Sequence, residues 1–226
     1  MAADLAVIVT ARNEAERLGA TLRALPEADV WVADDASEDA TAAVAERAGA
    51  RVVTAPKRLG KGGAATLAAE ALLREGDPVV LLADADLGAS ARELRRLVEA
   101  LGPLGPDAEL VADLAIASFA RRTGGGFGVA VGSARWAIRR ATGHTMQAPI
   151  SGQRAMRPGV LRQLLPFADG FGMETGMTID ALRAGLRLVE VELDLEHRAT
   201  GRTLGGFVHR GRQAKDILRA YASRRP

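Results

Sequence analysis

The chain has 226 residues, 48% of them apolar and only 4% aromatic, which is enough for one large domain with a substantial core. It has no cysteine, which excludes disulfide bonds and thiolate metal sites and leaves oxygen and imidazole groups as metal ligands. An acidic residue stands where a secretory signal would be basic, and no apolar stretch approaches the roughly 20 residues that span a bilayer. We therefore expect a soluble protein in the cytoplasm.

The net charge of +2 conceals an uneven distribution. Residues 1–113 carry 12 Lys and Arg against 20 Asp and Glu, a net charge of −8, whereas residues 114–226 carry 18 against 8, a net charge of +10. A cationic C-terminal half favours an anionic partner, either a phosphorylated substrate or a membrane surface, although solvated arginine-rich helices would give the same pattern. A nucleic-acid partner is not expected, since aromatic residues for base stacking are few and no recognised motif is present.

Apolar runs that favour strands alternate with helical segments along the chain. Strands are predicted, in order, at residues 5–9, 30–33, 51–54, 79–82, 109–119 and 186–193. Helices are predicted at residues 14–24, 37–48, 63–74, 90–101, 128–140, 158–166, 173–184 and 204–221, and Ser37 is the predicted cap of the second. This alternation predicts an α/β fold: a Rossmann-like, mainly parallel sheet with helices on both faces.

Polar segments follow the first four predicted strands, at residues 10–14, 34–37, 61–63 and 84–86. Each segment alone is typical of a helix cap, a turn or a solvated loop. Ligands of such sheets collect beyond the carboxyl ends of the strands, where these segments would meet. We therefore expect the four segments to share one site.

Two carboxylates one residue apart, Asp84 and Asp86, follow the fourth strand. If strand geometry persists, both point to the same side and repel each other unless a cation lies between them. Mg²⁺ and Mn²⁺ prefer oxygen ligands and commonly bind substrate phosphates as well. Lys61 and the glycines beside it would suit a phosphate, although the segment lacks the spacing of a Walker loop. The alternative is a pair of turn or N-cap aspartates.

Taken together, four segments resemble the nucleotide-diphospho-sugar transferases of the GT-A fold, in particular glycosyltransferase family 2. They are VTARNE (9–14), VADDASEDAT (32–41), RLGKGGA (58–64) and LLADADLG (81–88). The resemblance implies one GT-A domain over residues 1–226, with the nucleotide-sugar and metal-binding half at 1–90 and the acceptor-binding half at 114–226. It implies a nucleotide-sugar site lined by Ala11, Arg12, Asn13, Glu14, Asp34, Asp35, Lys61 and Asp84. The Asp34/Asp35 pair would contact the base, and Asp84 and the catalytic Asp86 would form the DxD metal motif.

The second half lacks the QxxRW motif of common family 2 members and is more similar to the glucosyl-3-phosphoglycerate synthases. The similar segments are GGGFGVAVGSAR (124–135), PISGQRAMR (149–157), GFGMETGMTIDAL (170–182) and EHRATGR (196–202). The similarity implies that Glu174 is a catalytic carboxylate near the sugar and acceptor and that His197 completes the metal site. Gly170, Gly172 and Gly176 would let a ligand approach Glu174 closely. An exposed helix carboxylate and a surface histidine are the alternatives for these two residues.

The implied function is metal-dependent transfer of a hexose from a UDP- or GDP-linked sugar to a hydroxyl or phosphate acceptor. Mg²⁺ or Mn²⁺ would stabilise the departing nucleoside diphosphate. The acceptor stays open between a phosphoglycerate-like molecule and a polyprenyl phosphate, since residues 127–130 are apolar where those synthases hold phosphoglycerate. The apolar face of residues 127–138, bordered by Arg135, Arg139 and Arg140, suits either a lipid-linked phosphate at the inner face of the membrane or ordinary helix packing.

Several alternatives stay open. A retaining enzyme needs no protein nucleophile, whereas an inverting one needs a general base, for which Glu174 is the first candidate. A sugar-phosphate nucleotidyltransferase is disfavoured, because residues 10–13 are not the glycine-rich signature expected after its first strand. A noncatalytic module that binds nucleotide sugars or polyanions is the alternative outside enzymes. The helix predicted at residues 204–221 would suit a homodimer contact.

Overall fold

The computed structural model describes residues 5–103, 111–119, 128–195 and 204–224. Its seven-stranded sheet is formed, in chain order, by β1 (Leu5–Ala11), β2 (Asp29–Asp34), β3 (Arg51–Thr54), β4 (Val79–Asp84), β5 (Leu114–Phe119), β6 (Arg154–Met156) and β7 (Leu188–Leu193). Across the sheet the order is β3-β2-β1-β4-β6-β5-β7. All neighbours are parallel except those of β6, which runs antiparallel to both β4 and β5. The predicted mainly parallel sheet is confirmed.

Helices connect the strands. They are α1 (Ala15–Ala24), α2 (Thr41–Arg47), α3 (Lys61–Glu75), α4 (Arg95–Glu99), α5 (Gly128–Thr142), α6 (Val160–Leu164), α7 (Met173–Arg183) and α8 (Leu204–Ala222). Two 3₁₀ segments, Gly88–Leu94 and Gly170–Gly172, precede α4 and α7. No helix within the described residues is long and apolar enough to cross a bilayer.

The sheet separates two hydrophobic cores, so helices cover both of its faces. The first core includes Ile138 of α5 and Met177 of α7, together with residues of α3 and α8. The second core includes Leu18 of α1 and Leu97 of α4. Alternate strand residues enter alternate cores: Ile8 of β1 lies in the first, and the residues on either side of it lie in the second. The predicted α/β fold is therefore confirmed.

The structure departs from the predicted elements at three points. Strand β6 was not predicted, because it is only three residues long and begins with a charged residue, Arg154. The cap prediction is wrong, because α2 begins at Thr41 and the Ser37 hydroxyl instead accepts a hydrogen bond from the backbone N–H of Asn13 at 3.0 Å. The helix predicted at residues 90–101 is a 3₁₀ segment that continues as the short α4.

Strand register brings the polar segments to one edge of the sheet. Thr10 of β1 pairs with Asp84 of β4, and Ala11 pairs with Asp34 of β2. Helix α3 begins with Lys61, whose ammonium group contacts the Asp84 carboxylate. All four polar segments that follow the early strands therefore meet, as expected.

Candidate functional site

An ion-pair cluster lies at the edge where β4 ends. The Nζ atom of Lys61 is 2.5 Å from Oδ1 of Asp84 and 2.8 Å from Oε1 of Glu174, so one ammonium group bridges two carboxylates. The side chains of Lys61 and Asp84 are 21% and 27% exposed, whereas that of Glu174 is 6% exposed. Pairs so far from solvent are screened less than surface pairs, and the loss of one member would leave a poorly solvated charge.

The residues just before β6 complete the surroundings of Asp84. Gln153 donates a hydrogen bond from Nε2 to Oδ2 of Asp84 at 2.6 Å, and the Thr10 hydroxyl donates to Oδ1 at 3.4 Å. Gly152 lies directly against the ion pair. A Cβ atom at Gly152 would overlap Nζ of Lys61 and lie 2.9 and 3.0 Å from the two Asp84 oxygens. Only glycine leaves room here for the pair in this geometry.

The environment of Lys61 holds it in its charged form. Burial alone lowers the pKa of Lys61, but attraction to Asp84 and then to Glu174, with a hydrogen bond to each, outweighs burial and raises this pKa above its ordinary value of 10.5. The ammonium group is therefore a constant cation at neutral pH. The chain itself thus provides a cation for the Asp84 carboxylate.

A second cation lies beside the cluster and is fully buried. Arg154 donates from Nε to the carbonyl oxygen of Ser151 at 2.9 Å and from Nη1 to the hydroxyl of Thr178 at 3.0 Å. Thr178 donates in turn to the carbonyl oxygen of Glu174 at 2.9 Å. Burial lowers the pKa of Arg154 to about 10, against the attraction of Glu174 and Glu190. Arg154 therefore stays charged at neutral pH and ties β6 to the first turn of α7.

The carboxylates of Asp34 and Asp35 are buried and bind neighbouring backbone. Asp34 accepts hydrogen bonds from the backbone N–H of Ser37, at 3.2 Å, and from the Ser37 hydroxyl. Asp35 accepts from the backbone N–H groups of Leu59, at 2.6 Å, and Gly60, at 3.0 Å. These bonds fix the turn after β2 and the start of α3. The contact of this pair with a nucleotide base stays a prediction.

The loop after β1 packs against the loop after β2. Oδ1 of Asn13 accepts from the backbone N–H of Glu38 at 2.8 Å, and Nη2 of Arg12 lies 3.3 Å from Oε1 of Glu38. The other terminal nitrogen of Arg12, Nη1, is buried and has no hydrogen-bond partner among the described residues. Ala11 is buried at the end of β1, and Glu14 immediately precedes α1. Residues 11–14, four of the eight predicted to line the nucleotide-sugar site, therefore lie at the sheet edge where β1 ends.

Asp86 lies outside the strand that ends in Asp84. Strand β4 stops at Asp84 and a turn follows, so the alternation expected from strand geometry does not extend to Asp86. Thr21 of α1 fixes this turn: its hydroxyl donates to the carbonyl oxygen of Ala85 at 2.7 Å and accepts from the backbone N–H of Gly88 at 2.9 Å. Asp86 is partly exposed, and no described residue makes a hydrogen bond or ion pair with its side chain.

The carboxylates of this turn have the chemistry that a hard divalent cation prefers. Both Asp84 oxygens already accept protein hydrogen bonds, but a carboxylate oxygen has more than one lone pair and can accept further. Within the described residues, no three His, Asp or Glu side chains gather closely enough to hold a metal ion. The predicted third ligand, His197, lies outside those residues. The two aspartates fit Mg²⁺ or Mn²⁺, and the complete ligand set stays a prediction.

The glycines that follow Lys61 have a packing explanation. A Cβ atom at Gly62 would overlap the carbonyl oxygen of Ala168, and one at Gly63 would lie 2.7 Å from Cβ of Leu59. The close approach at Gly62 brings the loop before α7 against α3, and with it Glu174 against Lys61. These contacts account for the two glycines, and a phosphate beside them stays a prediction.

Three glycines at the start of α7 pack against α8 or the residues just after it: Gly170, Gly172 and Gly176. A Cβ atom at Gly172 would lie 2.8 Å from both Cβ of Ala220 and the carbonyl oxygen of Asp216, and one at Gly170 would overlap the Asp216 side chain. The expectation that these glycines let a ligand approach Glu174 is therefore wrong. Glycine spacing predicts a close approach but does not identify the neighbour.

No role was predicted for Gly152 and Gln153, the two residues that contact Asp84 from the second half of the chain. Both lie in the PISGQRAMR segment, whose only signal in the sequence is its similarity to the glucosyl-3-phosphoglycerate synthases. Gln153 and Asp84 are 69 residues apart in the chain. Their contact arises because β6 pairs with β4.

Residues 6–124, more than half of the chain, match the model of the family described as Glycosyl transferase family 2. The chain belongs to glycosyl transferase family 2. An undecaprenyl-phosphate mannosyltransferase of Micrococcus luteus is 33% identical over 223 residues, covering 89% of this chain and 88% of the relative. An uncharacterized glycosyltransferase of Mycobacterium tuberculosis is 31% identical over 210 residues, covering 90% of each chain.

Solved structures share the fold of this chain. Glucosyl-3-phosphoglycerate synthase from M. tuberculosis, in complex with Mn²⁺, UDP and glucosyl-3-phosphoglycerate, is 27% identical, with a TM-score of 0.76 over 97% of this chain and 79% of the synthase. The same synthase with Mg²⁺ and UDP gives a TM-score of 0.77 at 27% identity, over 97% and 78% of the two chains. The predicted GT-A fold and the predicted glycosyltransferase activity, with a nucleotide sugar as donor, are confirmed.

Proposed function

We propose that this family 2 enzyme moves a hexose from a nucleotide diphosphate sugar, bound where β1, β2 and β4 end, to a hydroxyl or phosphate acceptor. The bridge from Lys61 to Asp84 and Glu174 supports this most directly, because it joins the start of α3, the end of β4 and the first turn of α7 in one charged site. Residues 1–226 act as one catalytic domain. Residues 1–90 bind the donor and the metal, and residues 114–226 bind the acceptor.

The donor lies along the loops that follow β1 and β2. Its nucleoside lies beside residues 11–14, where the buried Nη1 of Arg12 supplies a hydrogen-bond donor that no described residue uses. The Asp34/Asp35 pair contacts the base, and Asp35 also holds the start of α3 in place. Lys61, whose charge is constant at neutral pH, lies beside the diphosphate and stabilises it electrostatically.

A divalent cation, Mg²⁺ or Mn²⁺, would be held by Asp84, Asp86 and His197. When bound, such an ion stabilises the negative charge of the departing nucleoside diphosphate. Gln153 and Thr10 orient the Asp84 carboxylate through their hydrogen bonds. Asp86 has no described protein partner and is therefore the carboxylate with the most remaining capacity for a ligand.

Glu174 contacts the sugar or the acceptor at the second-half side of the site. Lys61 holds its carboxylate at 2.8 Å, and the bonds from Arg154 to Thr178 and from Thr178 to the Glu174 carbonyl fix its turn. In an inverting reaction Glu174 would take the proton of an acceptor hydroxyl as general base. In a retaining reaction it would orient the acceptor, and no protein nucleophile is needed.

Relatives support two acceptors. The synthase that is 27% identical has been crystallised with phosphoglyceric acid. The Micrococcus luteus relative, at 33% identity, is an undecaprenyl-phosphate mannosyltransferase. Higher identity over nearly the whole of both chains favours a polyprenyl phosphate as the acceptor of this enzyme, with a phosphoglycerate-like acceptor as the second candidate.

Calorimetric titration of the full chain with UDP and with GDP, each with and without Mn²⁺, tests the donor side. We expect one of the two nucleotides to bind more tightly when Mn²⁺ is present, and we expect Asp86→Ala to abolish that gain. Glu99→Ala is the matched control, because Glu99 is an exposed acid on α4 and its loss removes the same charge. Absence of metal-dependent nucleotide binding in folded protein would contradict the proposed role of Asp86 in binding the metal.

Transfer of radiolabelled sugar tests the acceptor side. The donor linked to the preferred nucleotide is incubated with undecaprenyl phosphate in detergent, or with 3-phosphoglycerate in buffer. We expect label in the organic phase with the lipid acceptor. Label only in 3-phosphoglycerate would select the second candidate, and transfer to neither would contradict both acceptors.

A further inference from the structure

Large apolar side chains exposed to solvent are few among the described residues, and most of them lie on two neighbouring helices. Val129 and Trp136 of α5 are 66% and 51% exposed, and Leu218 of α8 is 46% exposed. The fourth, Val111, lies apart, in the segment before β5. Single exposed apolar residues are ordinary, but three on two helices that pack against each other form an apolar patch, and such a patch is often functional.

The three side chains form one surface. Val129 precedes Trp136 by seven residues, two helical turns, so both lie on the same side of α5. The Trp136 ring meets the ring of Tyr221 on α8 edge to face, with centroids 5.1 Å apart and planes at 64°. Leu218 precedes Tyr221 by three residues and is therefore its neighbour on α8. We call this region the α5/α8 surface.

The fully exposed charged side chains in the described parts of α5 and α8 are all positive. Arg139 and Arg140 are exposed one turn beyond Trp136, and Lys215 and Arg219 are exposed beside Leu218. Helix α5 has no acidic residue, and α8 has one, Asp216. That carboxylate is partly exposed and accepts a hydrogen bond from the backbone N–H of Phe171.

From this pattern we propose that the α5/α8 surface docks on a membrane that contains anionic lipids. The arginines and lysine meet the lipid head groups, and Trp136, Val129 and Leu218 enter the interface, where tryptophan is favoured. This proposal extends the proposed function and rests on it at one point: a polyprenyl-phosphate acceptor would lie in such a membrane. The geometric and electrostatic evidence for the surface does not depend on the donor.

A second copy of the chain fits this surface less well. Three half-exposed side chains offer on the order of 300 Å² of apolar area, against about 800 Å² per partner in an interface of standard size. In a two-fold dimer the same patch faces itself, so the arginines of one copy would confront those of the other. An anionic bilayer instead complements the exposed arginines and lysine of the surface.

The α5/α8 surface lies one layer from the candidate site. Helix α7 packs against both α5 and α8, and its first turn carries Glu174. Asp216 of α8 binds the backbone immediately before that turn. A membrane at the α5/α8 surface would therefore approach the half of the site assigned to the acceptor.

Flotation of the full chain with vesicles tests the surface. Vesicles of phosphatidylcholine alone are compared with vesicles that contain phosphatidylglycerol at roughly one lipid in three, at low and at high salt. We expect binding only to the anionic vesicles and its loss at high salt, because screening weakens exposed charges. The chain has two tryptophans and Trp31 is buried, so a blue shift of tryptophan fluorescence on binding would report Trp136.

Variants separate the surface from general electrostatic attraction. Arg139→Gln/Arg140→Gln and, separately, Trp136→Gln are each expected to weaken vesicle binding at least about tenfold, a change of ~1.4 kcal/mol. Arg92→Gln/Arg95→Gln is the matched control, since it removes the same charge beside the second core, on the other side of the sheet. The control should bind as the unchanged chain does.

Four results would overturn the assignment: no binding to anionic vesicles, equal binding by all variants, equal loss in the control, or a dimer that Trp136→Gln dissociates in protein that does not bind vesicles. The last would show that a second copy covers the surface. Nucleotide titration of every variant keeps this test independent of the proposed function. Vesicle binding without nucleotide binding would support the docking surface and contradict the proposed donor site. Nucleotide binding without vesicle binding would support the donor site and contradict the docking surface.

Discussion

Gly152, beside the ion-pair cluster, and Gly172, immediately before α7, are glycines for different reasons. Gly152 leaves room for the ion pair of Lys61 and Asp84, so a side chain there would meet charged atoms of the site. Gly172 leaves room for α8, so a side chain there would meet the Asp216 carbonyl oxygen and the Ala220 side chain. Both positions require a residue without Cβ, but only Gly152 lies against charged groups of the candidate site.

The two glycines differ in whether the atoms around them can move. At Gly152 the nearest atoms are the ends of two side chains, which can shift at small cost to folding but not without changing the site. At Gly172 one of the nearest atoms belongs to backbone, which shifts only if α8 moves. A substitution at the first position should therefore change function, and one at the second should change stability.

Removal of the shared cation should have the largest effect on both properties. Lys61→Met would leave Asp84 and the buried Glu174 without their common partner, so we expect the free energy of unfolding to fall by about 3 kcal/mol. Metal-dependent nucleotide binding should be lost as well. Urea unfolding and calorimetric titration measure the two effects.

Two further variants qualify that result. Lys61→Met/Glu174→Gln should recover part of the lost stability, because the unpaired charge is removed. Arg51→Met is the matched control: Arg51 also bridges two acids, Asp29 and Glu75, but at the surface, so its loss should cost less than about 1 kcal/mol. An equal loss of unfolding free energy in Lys61→Met and Arg51→Met would show that burial does not strengthen the ion pairs of Lys61.

Gly152→Ala should weaken nucleotide binding by at least about tenfold, or ~1.4 kcal/mol, while the free energy of unfolding changes by less than about 1 kcal/mol. The new methyl group displaces Lys61 from Asp84 but meets no backbone atom. Titration and urea unfolding of the same preparation check both parts. Gly76→Ala is the control, because a Cβ atom there meets nothing within 4 Å. A large loss of stability without loss of binding would mean that Gly152 is needed for packing and not for the site.

Gly172→Ala should lower the free energy of unfolding by about 1–3 kcal/mol, since the methyl group pushes α8 from its place. Nucleotide affinity should change less than in Gly152→Ala. Thermal and urea unfolding measure the effect. In the control, Gly132→Ala, the helix interior gains a methyl group in open space and should become more stable by about 0.5–1 kcal/mol. A neutral Gly172→Ala would mean that α8 is not held at this point.

The smallest expected effect concerns pH. A raised pKa in the folded state means that the stability contributed by Lys61 is fully present below the ordinary value of 10.5 and is lost only as pH rises through the raised value. The difference in unfolding free energy between the unchanged chain and Lys61→Met should therefore stay constant from pH 7 to about pH 9.5. Urea unfolding at several pH values measures it. A difference that shrinks by pH 9 would mean that burial, not attraction, dominates at Lys61.

Much of the fold was predictable because its signals are local. Each of the first four strands is a mainly apolar run that is followed by polar residues. The run predicted the strand, and the polar residues after it indicated which edge of the sheet carries the site. Strand β6 was not predicted because three residues are too few to show the alternation of a strand. Its first residue, Arg154, is also charged, although it is buried in the core. Ser37 had the composition of a helix cap but bonded to Asp34 instead.

The candidate site was predictable on the side that the first 90 residues build and, in the second half, at Glu174, which contacts Lys61. Asp84 and Lys61 were identifiable because each follows a strand of the same parallel sheet. Their direct contact within the first half was not predicted, and neither were the contacts of Asp84 with Gly152 and Gln153, which cross from one half of the chain to the other. The glycines after residue 169 gave a misleading signal, because the helix that they contact lies some 45 residues later.

The sequence by itself determined the fold class, the family and the edge of the sheet where polar groups gather, because periodicity and strand-end composition are properties of neighbours in the chain. Tertiary structure decided which cation accompanies Asp84, which glycines border the site and which helix faces remain open to solvent. These features depend on contacts between residues far apart in the chain. Such contacts exist only after the antiparallel β6 and the last helix have packed against the sheet.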